Sequence, residues 1–260
     1  MNILFIGDIV GSPGRQAVET LVPQLKKKKK IDFIIANAEN AAGGSGMTPD
    51  VVGQLFASGI DILTSGDHIW KKKEIFDMLN TDKRIVRPAN YPKSDPGSGV
   101  TVVDGPDKTK IAVINLLGRV FLSTTECPFK TARDIIEGLK NKTSVIIVDF
   151  HAEATSEKIA LGRFLDGTVS ALVGTHTHVQ TADEQILPKG TAYITDAGMT
   201  GPFDSIIGRK VDQILSRFLT QMPTKFEMAT DDIRLQGVII DIDEKTGTAN
   251  SIKRVHEKID

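Results

Sequence analysis

The sequence predicts an α/β protein built on a largely parallel sheet, and three features lead there. Short, continuous apolar runs recur along the first half, as strands buried on both faces require. Helical patterns separate these runs in a β-α-β-α rhythm, the signature of parallel strands joined by crossover helices. Polar residues able to bind a ligand fall just after the runs, where open α/β sheets hold their ligands.

The elements follow in order. Residues 3–6 form the first buried strand. Ser12-Pro13 reads as an N-cap with Pro at the first helical position, and Val18, Leu21, Val22 and Leu25 continue at helical spacing, with Pro23 predicted to kink or restart the helix. Residues 33–36 and 61–64 are the next strands, with a helix over 49–58 between them and another over 70–79 after them. Residues 100–103 and 111–116 flank the turn signal Asp104-Gly105-Pro106 and predict a hairpin. Strands at 145–150 and 171–173 enclose a helix over 157–164, and 192–195 is a further strand. Residues 238–242 and 251–255 flank Asp243-Glu244-Lys245-Thr246-Gly247 and predict a closing hairpin. The segment 198–202 reads as a pocket or interface loop, or as a plain turn. No repeat, low-complexity linker or domain boundary interrupts the chain, so a single domain over residues 1–260 is expected.

Composition narrows the function classes. Lys plus Arg total 32 and Asp plus Glu 33, so the net charge of -1 offers no global attraction to nucleic acid or membrane. The lysine run 26–30 reads as a solvated helix end, and 71–73 similarly. The single cysteine, Cys127, cannot pair within the chain and has no cationic neighbour to activate it, which suits an inert thiol in a reducing compartment. The first residues read as a strand followed by an acid rather than a signal sequence, and no apolar stretch approaches the ~20 residues that span a bilayer. A cytoplasmic protein is expected.

The candidate site is the set of residues at the strand ends. Asp8 follows the first strand, Glu39 and Asn40 the second, Asp67 and His68 the third, His151 the strand at 145–150, and His176 and His178 the strand at 171–173. Four of the five histidines share this position; the fifth, His256, lies in a charged tail. His176-Thr177-His178 on an extended chain would turn both imidazoles to one side. Carboxylates, an amide and imidazoles together suit Fe, Mn or Zn better than Mg or Ca. The set exceeds what one ion takes, which implies two ions roughly 3.5–4 Å apart with Glu39 as the bridging carboxylate. Neither a Gly-x-x-x-x-Gly-Lys-Ser/Thr loop nor Gly-x-Gly-x-x-Gly occurs in residues 7–14, which excludes P-loop and Rossmann nucleotide binding.

Gly7-Asp8, Asn37-Ala38-Glu39-Asn40, Gly66-Asp67-His68 and Gly174-Thr175-His176-Thr177-His178 resemble the metallophosphoesterase (calcineurin-like) superfamily. GDIVGSPGR, VDFHAEATSEK, VGTHTHVQTAD and LPKGTAYITDAGMTGP resemble, nearly end to end, its YmdB-like bacterial phosphodiesterases. The resemblance implies a sandwich of two mixed β-sheets flanked by helices. It implies one ion on Asp8, Glu39, Asn40 and His178 and another on Glu39, Asp67, His151 and His176. Fe or Mn comes first as the metal, Zn next. Two positions depart from the superfamily pattern: Val10 stands where a His is usual, with Asn40 in its stead, and Asp67 stands where Asn is usual. An acid there should hold the cation tighter and reduce its Lewis acidity.

These residues lead to an expected metal-dependent phosphodiester hydrolysis with attack by a metal-bridging hydroxide, and the resemblance implies 2′,3′-cyclic nucleotides as the substrate class. His68 is the expected catalytic acid, and Asp149, Glu153 and Thr175 are candidates to orient the imidazoles, with helix capping an equal explanation for Glu153 or Thr155. A small-molecule phosphodiester partner, a link to RNA turnover and a homo-oligomer are expected, and no membrane partner. A dinuclear amidohydrolase is disfavoured because the His-x-His comes late in the chain. A metal-containing regulatory protein that acts through partner binding is the alternative of a different class.

Overall fold

The computed structural model describes residues 1–259. β1 (Asn2–Ile6) and the two-residue β2 (Asp8–Ile9) lead into α1 (Gly11–Lys29), followed by β3 (Phe33–Asn37), α2 (Pro49–Ala57), β4 (Ile62–Thr64), α3 (Phe76–Thr81) and β5 (Ile85–Val86). β6 (Val100–Asp104) and β7 (Lys110–Leu117) precede α4 (Pro128–Glu137), β8 (Val145–His151), α5 (Thr155–Leu165) and β9 (Ala171–Thr175). The chain continues through β10 (Gln185–Ile186), β11 (Ala192–Ile194), β12 (Met199–Pro202), α6 (Val211–Thr220), β13 (Ile233–Ile242) and β14 (Ala249–Lys258).

These strands form two mixed sheets. The first runs β2-β12-β13-β1-β3-β4-β5, with β14 also on β13. Its β1, β3, β4 and β5 are parallel, while β13 pairs antiparallel with β1, β12 and β14. The second runs β10-β11-β9-β8-β7-β6, parallel through β7, β8, β9 and β11 and antiparallel at both margins. The parallel rhythm read from the sequence therefore forms one side of the first sheet, out to β5 at its edge, and the centre of the second, where antiparallel partners β10 and β6 complete the edges.

Residue alternation assembles the layers. Ile3 and Phe5 of β1 join Ile111, Val113, Ile147 and Val173 in a core between the sheets. Leu4 and Ile6 point the other way and pack with Val18, Leu21 and Leu25 of α1 and Leu55 of α2. Ile114, Val148 and Phe150 on the outer face of the second sheet meet Ala132 and Ile136 of α4 and Leu161 and Leu165 of α5. Helix, sheet, sheet and helix thus stack as four layers, and strands covered on both faces explain the unbroken apolar runs.

Several local expectations are corrected. α1 begins at Gly11 with Val10 as its N-cap and no side-chain cap, so Ser12 lies inside the helix. The chain turns into α1 on the backbone of Val10, whose N–H donates to Thr200 O at 2.9 Å. α1 continues through Pro23 as one element. The stretch 70–79 is not one helix. Two 3-10 turns, Asp67–Lys71 and Lys73–Ile75, precede the short α3, and Ile69, Ile75 and Leu79 are buried from these separate pieces. The segment 198–202 is neither loop nor plain turn: it contains β12, a buried strand between β2 and β13. The lysines at 26–30 are exposed at the end of α1. Cys127 is a free thiol at the start of α4. Among the described residues no helix is long and apolar enough to cross a membrane.

Candidate metal centre

The carboxyl ends of both parallel sets converge on one place. Asp8 lies past the end of β1, in β2, where it pairs with Met199 of β12. Glu39 and Asn40 follow β3, and Asp67 and His68 open the 3-10 turn after β4. From the second sheet, His151 ends β8, and His176 and His178 follow β9. All eight sequence-selected residues meet here.

Glu39 sits centrally and is almost wholly buried. Its Oε1 lies 3.2 Å from His151 Nε2 and accepts from Asn40 Nδ2 at 3.1 Å, while Oε2 accepts from the His68 N–H at 3.0 Å. Asp67 Oδ1 lies 3.4 Å from His151 Nε2 and 3.7 Å from His176 Nδ1. Ligand atoms of Glu39, Asp67, His151 and His176 all fall within 4.8 Å of one another, a group able to hold a metal ion. Asp8 Oδ1 lies 3.8 Å from His178 Nε2, and His178 Nε2 is 3.2 Å from Asn40 Nδ2. Buried acceptors are normally satisfied, yet Asp8 Oδ1 and Asp67 Oδ1 have no hydrogen-bond partner. His151 Nε2 and His176 Nδ1 face each other at 3.0 Å. Orphaned carboxylate oxygens beside converging imidazole nitrogens fit a cation between them.

Burial alone would lower the His151 imidazole, but the neighbouring Glu39 and Asp67 carboxylates hold it well above its usual value. Burial would raise Asp67, but His151, His68 and His176 hold it below the ordinary carboxylate range. Burial dominates at Asp8, whose carboxyl is raised although His178 and His151 oppose. His176, half-buried and beside His151, is lowered. At His151 and Asp67 the opposite charges of the cluster favour the charged forms, while burial favours the neutral forms of Asp8 and His176.

Supporting groups fix the imidazoles. His151 Nδ1 lies 2.9 Å from Thr175 Oγ1, which donates to Asp149 Oδ1 at 2.7 Å, so Nδ1 carries the proton and Nε2 is left for a ligand role. Asp149 is wholly buried and pushed up to about 6. Asn37 donates to Asp149 Oδ2 at 3.0 Å and accepts from the Glu39 N–H at 3.1 Å, bracing both sheets. Glu153 Oε2 sits 3.0 Å from His176 Nε2, whereas α5 has no side-chain cap, so capping by Glu153 or Thr155 is replaced by contact of Glu153 with an imidazole.

The reason expected for His176 and His178 sharing a side is wrong. Their φ values are 104° and 64°, so the segment is not extended. Instead Asp196 holds the loop: its Oδ2 accepts from the Thr177 N–H and Oγ1 at 3.0 and 2.8 Å and from Lys158 Nζ at 2.7 Å. Lys158, Asp196 and the Ile207 carbonyl, 3.2 Å from His178 Nδ1, were not legible as site residues. Gly66 has a readable signal, a glycine just before the acid-histidine pair. A Cβ there would lie 2.2 Å from His151 Cδ2 and 2.3 Å from Glu39 Oε2.

Two mixed sheets, with parallel strand ends that meet in a cluster of carboxylates and imidazoles, define a metallophosphoesterase-like fold and site. The chain belongs to the YmdB-like protein family, whose pattern it matches over residues 4–255. It is 53% identical over 255 residues to the 2′,3′-cyclic-nucleotide 2′-phosphodiesterase of Bacillus subtilis, covering 98% of this chain and 96% of that one. A crystal structure of a hypothetical protein from Thermus thermophilus superposes with a TM-score of 0.93 at 38% identity, over 99% of both chains. One described as a novel phosphatase, from Mycoplasma pneumoniae, superposes with a TM-score of 0.93 at 36% identity, over 99% of this chain and 93% of that one.

Proposed function

We propose that this protein is a phosphoric diester hydrolase that uses two metal ions and acts on 2′,3′-cyclic nucleotides. The observation that carries this reading is the pair of partnerless buried oxygens, Asp8 Oδ1 and Asp67 Oδ1, set among imidazoles with Glu39 in contact with both groups of residues. Asp8, Glu39, Asn40 and His178 are assigned to one ion, and Glu39, Asp67, His151 and His176 to the other, with Fe or Mn preferred and Zn compatible. When bound, the ions supply charge neutralisation to the phosphoryl group and a water acidified to near neutrality. The Bacillus subtilis relative's name supports the substrate class.

The chain's own groups do the rest. His68 Nδ1 lies 2.7 Å from Asn40 Oδ1, which accepts its proton. The half-exposed ring lines a pocket of about 340 Å³ and keeps Nε2 3.8 Å from its nearest carboxylate, Asp67, free to protonate a leaving alkoxide. Val10 is an apolar wall of this pocket. Asp67, in place of the more usual Asn, adds a charge that strengthens ion retention. Cyclic 2′,3′-phosphates are the ends left by 2′-hydroxyl attack in RNA cleavage, so the reading connects the protein to cytoplasmic RNA turnover.

The test is hydrolysis of bis(p-nitrophenyl) phosphate and then of 2′,3′-cyclic nucleotides with Mn²⁺, with and without chelator. The same assay and a metal count are run on His68→Ala. The expected result is chelator-sensitive turnover, with roughly 10²–10⁴-fold less in the variant and the same metal content. Loss of metal in the variant would refute the role of His68. No turnover by protein that holds two ions would favour the regulatory reading.

A further inference from the structure

The segment Ile206–Arg209 is a two-residue hairpin turn. Ile206 N–H donates to Arg209 O at 2.9 Å, Arg209 N–H returns to Ile206 O at 3.0 Å, and both central residues, Ile207 (45°) and Gly208 (94°), have positive φ. Such turns ordinarily take Asn, Asp or Gly at both positions, and a β-branched residue there is strained. A Cβ on Gly208 would lie 2.8 Å from Val10 Cγ1, so the turn is pressed against the pocket wall. The strained residue offers its carbonyl to His178 Nδ1 at 3.2 Å. That contact places the proton on Nδ1 and leaves Nε2 toward Asn40 and Asp8.

The next residue is Arg209. It lines the same pocket as His68, His176 and His178. Its Nη2 donates to Gly44 O at 2.9 Å, the one side-chain hydrogen bond it makes among the described residues. No carboxylate among them lies within ion-pair distance of it; Glu153, on the same pocket, faces His176 instead. Burial lowers Arg209 and no acid opposes the shift. Arg87, which is buried, differs: its guanidinium is used up on the carbonyls of Pro88, Pro92, Asp95 and Pro96. A guanidinium carries five N–H donors matched to phosphate geometry. Half-buried without a counter-charge, it is unfavourable until an anion enters.

We propose that Arg209 is a substrate-binding residue, which donates to a phosphoryl oxygen of the diester in this pocket, and that the strained Ile206–Arg209 turn is the element that carries it there. This rests on the phosphodiesterase reading. The competing role is a brace for the Gly44 loop, which would act on the ions through Glu39 and Asn40.

The experiment is calorimetric titration of the full-length, Mn²⁺-loaded protein with inorganic phosphate, for the wild type, Arg209→Met and Arg209→Lys, with the Mn²⁺ content of each measured. The expected result is phosphate binding by the wild type, weakened roughly 10- to 100-fold in Arg209→Met. Arg209→Lys should recover part of it and all three should hold equal Mn²⁺. KM for the diester should rise in Arg209→Met more than kcat falls. Unchanged phosphate affinity in Arg209→Met overturns the proposal, and so does loss of Mn²⁺ from that variant, which assigns the brace. Wild-type protein that holds Mn²⁺ but binds no phosphate overturns the phosphodiesterase reading and this proposal together, and so differs from failure of Arg209 alone.

Discussion

Lys158→Met should cost about 3–5 kcal/mol, the range for removing one partner of a buried ion pair. Both Lys158 and Asp196 are wholly buried, and Nζ lies 2.7 Å from Asp196 Oδ2. Met is similar in length to the Lys stem, so little of the cost comes from a cavity. Most of it comes from Asp196, left as a buried charge with only neutral donors: Thr177 N–H, Thr177 Oγ1 and Gly198 N–H. In a chain of this size each kcal/mol moves the midpoint by about 2–4 °C, so Tm should fall on the order of 10 °C. Thermal and urea unfolding are measured for Lys158→Met, Asp196→Asn and the double variant. The double variant should lose clearly less than the sum of the singles, because it leaves no unpaired charge. A loss below about 1 kcal/mol in Lys158→Met, or strict additivity, would refute the argument that this pair anchors the His176–His178 loop.

Two further substitutions probe the metal centre. Thr175→Val removes the link from His151 Nδ1 to Asp149 and should weaken Mn²⁺ affinity roughly 10–100-fold; calorimetry checks this, and unchanged affinity would remove Thr175 from the orienting role. Gly66→Ala would place a methyl 2.2 Å from His151 and 2.3 Å from Glu39, so the purified variant should keep its secondary structure by circular dichroism and take up no metal by elemental analysis. Full metal occupancy would show that the 3-10 turn yields where the packing says it should not.

Apart from β5, whose two residues Ile85-Val86 make no run, the strands of both parallel sets were legible because each is buried on two faces and reads as an unbroken apolar run. β2 and β12 were not, since Asp8-Ile9 and Met199-Thr200-Gly201-Pro202 owe their strand geometry to pairing with each other and with β13 rather than to composition. α6 escaped notice for the opposite reason: its apolar residues, Leu215, Phe218 and Leu219, are exposed, and only Ile214 is buried. Over 70–79, the buried spacing of Ile75 and Leu79 imitates one helix although a 3-10 turn supplies the first and the short α3 the second. The candidate ligands were legible because their polarity interrupts the runs at strand ends. Lys158, Asp196, Ile207 and Arg209 were not, because their partners lie 38, 29 and 165 residues away and no local pattern encodes such pairs.

The division of donors between the sheets has a consequence for how the molecule is made. The oxygen and amide donors, Asp8, Glu39, Asn40 and Asp67, belong to the first sheet and are complete by residue 67; the three imidazoles assigned to the ions arrive only with His151, His176 and His178. A ribosome therefore releases the hard, weakly discriminating half of the centre first. On the proposed assignment, discrimination for a softer transition metal would wait until the second sheet docks. A metal held there would be a rivet across the seam, set only when the two halves have closed in register.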